Sequence, residues 1–265
     1  MTAVPWIAVN VFRESIRDKV FYNLVAFAIL LMGASYLIGQ LTAGQDVKMI
    51  KDLGLAATSV FGLFIAIFIG IGLVSKEVER RSIYSLLAKP VDRYQIVLGK
   101  YAGLVLTIGV NVAIMTVALY AVLAYMQWAL GVGSSEAPVL DPALLKALGL
   151  TFIELCLVTA LALFFSTFST PLLSAALTFG FFVAGRLSND LRNFDDVMQS
   201  SAGGRVAQAV YWVLPHLEAF NVRAQVVHGQ PVPVAYLAMT AAYGVLYIAA
   251  LLVPAAVIFS RRDFK

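Results

Sequence analysis

Cysteine and histidine are nearly missing from this sequence. One cysteine, Cys156, and two histidines occur among 265 residues. A lone cysteine in an apolar stretch excludes an intrachain disulfide, and the set is too small for a structural zinc site. Charge is scarce as well. Asp, Glu, Lys and Arg make up 13% of the chain, against roughly 25% in a soluble domain. With 61% hydrophobic residues and a mean hydropathy of +0.87, the composition points to a polytopic membrane protein. The apolar runs are continuous rather than alternating, which argues against spanning strands and for an all-α fold. No short apolar core precedes a small-residue cleavage site at the N-terminus, so residues 20–39 are expected to remain as the first span. The sequence pI is near 9.2. In a membrane protein that basicity marks cytoplasmic loops rather than a nucleic-acid surface.

A spanning helix needs about 20 mainly apolar residues. Six runs qualify or nearly do: 20–39, 53–74, 101–126, 144–166, the short 171–187, and 233–259, with Pro254 placed to kink the last. Basic residues set the orientation. With the N-terminus inside, Arg13, Arg17, Lys19, six residues from Lys76 to Lys100, and Arg261, Arg262 and Lys265 lie on the inner side, twelve in all. Seven lie outside: Lys48, Lys51, Lys146, Arg186, Arg192, Arg205 and Arg223. The positive-inside rule therefore predicts both termini in the cytoplasm. Residues 4–19 place Trp6, Val9, Phe12 and Ile16 on one helical side, opposite Asn10, Arg13 and Arg17. That pattern suits an amphipathic helix at the inner interface, or an extension of the first span with a solvated face. "STFSTP", Ser166 to Pro171, is a tight polar turn with proline at the start of the next helix. Residues 188–232 are too polar to span and read as an interfacial or re-entrant segment broken by Pro215.

Nine of the 34 charged residues fall between Lys76 and Lys100. There Lys76 to Ala88 continues the second span as a charged helix, with Glu77, Arg80 and Arg81 at pairing distance. "KP" at 89–90 stops it. Asp92 then caps a new helix, with Gln95 three positions on reaching back. A solvated loop obeying the positive-inside rule explains the basic residues. It leaves Glu77, Glu79, Asp92 and the exposed Leu86–Leu87 pair without a reason. A docking elbow supplies one.

The same residues carry a resemblance. Glu77, Glu79-Arg80, Ser82, Leu86-Leu87, Pro90, Arg93 and Gly99-Lys100 resemble the loop between spans two and three of ABC transporter permeases of the type 2 exporter class, which commonly have glycine at the Ser82 position. The ending "FSRRDF" and "LPHLEAFNV" before the last span are similar to that class as well, and to its branch often labelled multicopper-enzyme maturation permeases. The resemblance implies a six-span permease of the bacterial inner membrane. It would dimerise with a second or homologous copy, bathed in lipid, and dock two cytoplasmic ATPases that hold the ATP and Mg. It implies a connecting helix at 4–19 and a coupling helix at 76–97 that engages the ATPase through Glu77, Glu79, Arg80, Arg81, Leu86, Leu87, Pro90 and Arg93. It also implies an outer gate within 188–232 that includes Pro215 and Glu218. The chain has no G-x-x-x-x-G-K-[ST] phosphate loop: "VLGK" is followed by Tyr101. Any ATPase is then a separate chain.

Two polar residues stand inside the spans. Glu154, near the middle of the fourth, is a functional hypothesis by default. It is placed to bind a cationic substrate group or a proton, or equally to bond Asn111 or a serine on a neighbouring span. Asn111 reads as interhelical glue. His216 and Glu218, beside Pro215, are too few for a metal site and read as a capped outer turn. No arrangement of nucleophile, base or paired carboxylates appears, so no catalytic residue and no bound cofactor is expected. A second functional class, an ATP-independent carrier or an envelope-assembly scaffold, competes with the permease. A carrier would show inverted repeats and matched broken helices, and here the fifth run alone is short.

Overall fold

In a computed structural model, residues 3–39, 46–79, 92–130, 139–187 and 214–261 are described. They form α1 (Val4–Ile16), α2 (Lys19–Gly39), α3 (Asp46–Glu79), α4 (Arg93–Leu130), α5 (Ala143–Ser166) and α6 (Pro171–Arg186). A 3-10 turn (Leu217–Phe220), α7 (Arg223–Val227) and α8 (Val234–Arg261) follow. Among the described residues there is no strand. Helices α3, α4, α5 and α8 are each long and apolar enough to cross a membrane, and the bent pair α1–α2 makes a fifth candidate. The shorter α6 corresponds to the fifth of the six apolar runs read from the sequence. Its 16 residues span about 24 Å at 1.5 Å each, less than the roughly 30 Å hydrocarbon core.

Local chemistry sets several ends. Proline opens α1 and α6, and Thr170 before Pro171 is extended. The Asp18 carboxylate accepts from the Val20 amide at 2.9 Å where α1 turns into α2 through 62°. The Asp141 carboxylate accepts from the Ala143 amide at 2.8 Å, capping α5. Helix α4 begins directly after Asp92, as expected. Gln95 reaches back to the Asp92 carboxylate at 3.1 Å rather than to its amide, and its own carbonyl oxygen accepts from the Ala3 amide at 3.2 Å. The last span runs through Pro254 to Arg261 as one helix.

The bundle is built around α5, whose apolar run is 78% buried, whereas α8 is 22% buried. A helix apolar on all sides belongs in an interior, and α5 packs against α3, α4, α6 and α8. Gly62 of α3 lies beneath Leu155, and Gly70 faces the Ala162 methyl. Small residues at these points bring the two backbones close. Thr58, Thr107, Thr159 and Thr178 fold their hydroxyls back onto the carbonyl four residues earlier, so no buried hydroxyl is stranded there. The amphipathic α1 lies on the first half of α4, with Ala8, Val11 and Ser15 buried and Trp6 exposed. Its seat is made by Gly99 and Gly103: a Cβ at Gly103 would stand 2.6 Å from the Ala8 carbonyl oxygen.

Candidate functional site

Helices α5 and α6 run antiparallel from the Thr167–Thr170 turn. Glu154 lies twelve residues before the end of α5 and Arg186 closes α6, so the two reach a similar depth. The Arg186 Nη2 group lies 2.9 Å from Glu154 Oε1 and 3.0 Å from Oε2. Glu154 is 1% exposed. Arg186 Nη2 also donates to the Ser59 hydroxyl of α3 at 3.4 Å, and its guanidinium stacks over Phe182, 5.6 Å from the ring centroid. On its other side Nη1 faces Glu218 Oε2 at 4.0 Å. One cation thus joins α3, α5, α6 and the turn before α8. A buried charge is held only when paired and hydrogen-bonded; Arg186 pairs with Glu154 and hydrogen-bonds Oε2, while Oε1 has no hydrogen bond among the described residues.

Glu218 and Pro215, expected at the outer gate, stand beside this pair. The Pro215 carbonyl and Leu217 pack onto Gly185, the next-to-last residue of α6. Leu217 and Phe220 are fully buried. Leu217 anchors the turn against the end of α6; residues 188–213, which hold most of the segment read as interfacial or re-entrant, lie outside the described residues. The His216 amide donates to the Tyr243 hydroxyl at 3.0 Å, and the Tyr236 hydroxyl to the Ala219 carbonyl at 2.6 Å, which ties the turn to α8. Burial pushes the His216 imidazole below its ordinary pKa.

A second polar layer lies toward the start of α3. Arg223 of α7 grips Asp52 side-on, Nε to Oδ1 and Nη2 to Oδ2, the latter at 2.7 Å. Lys51, 1% exposed, lies 3.8 Å from Asp141. Lys146 donates to the Val232 carbonyl at 3.2 Å. Between the two layers is a cavity of about 250 Å³, bounded by Leu55, Ser59 and Val60 of α3, Thr151 of α5, Phe182 and Arg186 of α6, and Phe220 to Arg223.

The sequence-predicted residues divide into three groups. Glu154, Glu218 and Pro215 come together around Arg186. Asn111 is fully buried on α4 and, among the described residues, its amide has no hydrogen-bond partner. Glu77 and Glu79 end α3 and Arg93 opens α4, while Arg80, Arg81, Leu86, Leu87 and Pro90, with most of the 76–97 elbow, lie outside the described residues. Neither of Glu154's sequence-level bonding partners, Asn111 or a serine, is what holds it: the partner is Arg186, which charge counting had assigned to topology. The signal was the tight turn at 167–170, because residues a similar distance from an antiparallel turn face one another. Arg223, Asp52, Lys51 and Asp141 were not foreseen as partners either. Among the described residues, no three metal-ligating side chains converge.

Four long apolar helices and a fifth, bent candidate mark a multi-pass membrane protein. The chain belongs to the ABC-2 family transporter proteins, whose family model matches residues 5–264. It is therefore a permease subunit of an ABC transporter, a class that works with a nucleotide-binding partner. No curated protein matches the chain in sequence.

Proposed function

We propose that this permease is the membrane half of an ATP-driven exporter of the bacterial inner membrane, related to the multicopper-enzyme maturation branch. Two copies, or one copy and a homologue, pair and dock two separate cytoplasmic ATPases that carry ATP and Mg. The stretch from Glu77 to Arg93 is the docking elbow, with Glu77, Glu79, Arg80, Arg81, Leu86, Leu87, Pro90 and Arg93 as contacts. Both termini face the cytoplasm. Glu154, Arg186 and Glu218 form the latch of the outer gate.

The observation that carries this reading is the reach of α3. This one helix holds Asp52 and Ser59 at the charged site and continues without a break to Glu79, where the docking stretch begins. Family membership supplies the ATPase, and α3 supplies the link from motor to gate. The turn around Glu218, held to α6 through Arg186 and Gly185, is the element that opens. Switching elements of this kind shift as units because packed interfaces have discrete arrangements.

Copurification tests it. Tagged protein is expected to bring down a nucleotide-binding ATPase, and Arg80→Glu with Arg93→Glu is expected to abolish ATP-dependent transport at normal expression. Failure to recover any ATPase, together with intact transport by the double variant, refutes the reading.

A further inference from the structure

The cavity beside the latch has a lining with one sign of charge. Arg186 and Arg223 both reach it, while Glu154, Asp52 and Glu218 are absent from its wall. The acids touch the arginines without lining the cavity. Asp52 takes Nε and Nη2 of Arg223, which leaves Nη1 without a hydrogen-bond partner among the described residues. Glu154 and Ser59 take Nη2 of Arg186, and Nη1 has only the 4.0 Å approach of Glu218. The carboxylates hold both guanidinium planes in place and leave donors on the far edges. Planar N–H donors fixed in this way match the oxygens of a carboxylate or phosphate.

The rest of the wall is mostly apolar. Leu55, Val60, Phe182 and Phe220 line the same space, with Ser59, Thr151 and Asn221 as its uncharged polar members. A small number of placed polar groups in an apolar wall is the ordinary form of a small-molecule site. A volume of about 250 Å³ equals about eight waters at roughly 30 Å³ each, enough for an oxyanion head and the first carbons of a tail. We infer that this cavity binds the head of an amphipathic oxyanion, a carboxylate or phosphate on an apolar body, with Arg223 and Arg186 as its ligands. An acid-free wall decides against a cationic guest. The inference deepens the transport reading by giving the site a ligand class. An oxyanion on Arg186 Nη1 takes the place of the loosely held Glu218 and so frees the turn.

The test uses the purified full chain in phosphatidylcholine nanodiscs, without any ATPase. A failure here thus leaves the docking reading untouched, and a failure to recover an ATPase leaves this one standing. Hexanoate and hexyl phosphate are titrated by calorimetry against hexanol and hexyltrimethylammonium. Saturable binding of the two anions alone is expected. Arg223→Gln is expected to weaken it at least about tenfold, and Arg223→Lys less, because lysine keeps the charge but loses the fork. Arg223→Gln with Asp52→Asn guards against an unpaired carboxylate as the cause. Discs doped with phosphatidic acid form a second arm. A thermal shift there that depends on Arg223, with no binding of the soluble anions, assigns the oxyanion to a membrane lipid and still supports the site. Equal binding of the quaternary ammonium, binding unchanged in Arg223→Gln, or no saturable binding in either arm overturns it.

Discussion

The guanidinium of Arg186 shares one amino group between the two oxygens of Glu154, at 2.9 and 3.0 Å, while its other amino group faces Glu218 at 4.0 Å. The two acids differ in setting: Glu154 lies on the most buried helix, whereas the Glu218 side chain is 37% exposed. Strength is therefore concentrated on one side of the cation, and the weaker side is the one placed to let go.

Removing Arg186 alone is expected to be the costlier single change. Arg186→Gln strands a buried carboxylate, which costs about 3–5 kcal/mol. Glu154→Gln leaves a neutral amide beside an arginine that keeps Ser59 and Glu218, and costs less. The double change to glutamine is expected to recover much of the Arg186→Gln loss. Thermal unfolding of the four proteins in detergent gives the double-mutant cycle, and strictly additive losses would show that the pair contributes nothing.

Glu218→Gln is expected to act on transport rather than on stability. Its contact with Arg186 is long and partly solvated, a class of pair worth about 0–1 kcal/mol. Unfolding should change little, while ATPase stimulation by substrate or basal transport rises as the turn is freed. Unaltered transport at full expression would remove Glu218 from the latch.

The seat of α1 on α4 is expected to be intolerant of side chains. A Cβ at Gly103 meets the Ala8 carbonyl oxygen at 2.6 Å and Val11 at 2.7 Å, whereas Gly33 has nothing within 4 Å. Gly103→Val should destabilise by about 1–3 kcal/mol, the usual range for overpacking, and Gly33→Ala should not. Equal melting of the two variants would mean that α1 is only loosely held.

His216 predicts a pH dependence with a definite sign. Burial lowers its pKa in the folded protein below the ordinary value of about 6.5, so the unfolded chain takes up the proton first. Stability is then fully present above about pH 6.5 and declines as the pH falls through that value toward the folded pKa. The slope of melting temperature against pH between 7.5 and 5.5 should flatten in His216→Gln. An unchanged slope would assign the dependence to other groups.

Much of the architecture was legible because apolar length is a strong signal. The α5 and α6 boundaries and the proline start of α6 were readable directly. The buried side of α1 was not: Ala8, Val11 and Ser15 are buried, while Trp6 and Val9 of the expected apolar side are exposed. Nor was the start of α3. A hydropathy reading begins that span at 53 and leaves Lys51 and Asp52 outside it, yet both lie within the helix that begins at Asp46. Their charge is compensated by Asp141 and Arg223, more than 80 residues away in sequence, and no local pattern reports such partners. Arg186 was hidden for a similar reason. A basic residue at the end of an apolar run satisfies topology alone, so nothing local called for a carboxylate.

The unbroken course of α3 has a mechanical consequence. From Asp52 to Glu79 the helix rises about 40 Å at 1.5 Å per residue. A tilt of about 5° at its Asp52 end would carry the Glu79 end sideways by roughly 3–4 Å over that length. A displacement the size of one side chain at the Glu79 end thus corresponds to a rotation small enough to leave Gly62 beneath Leu155.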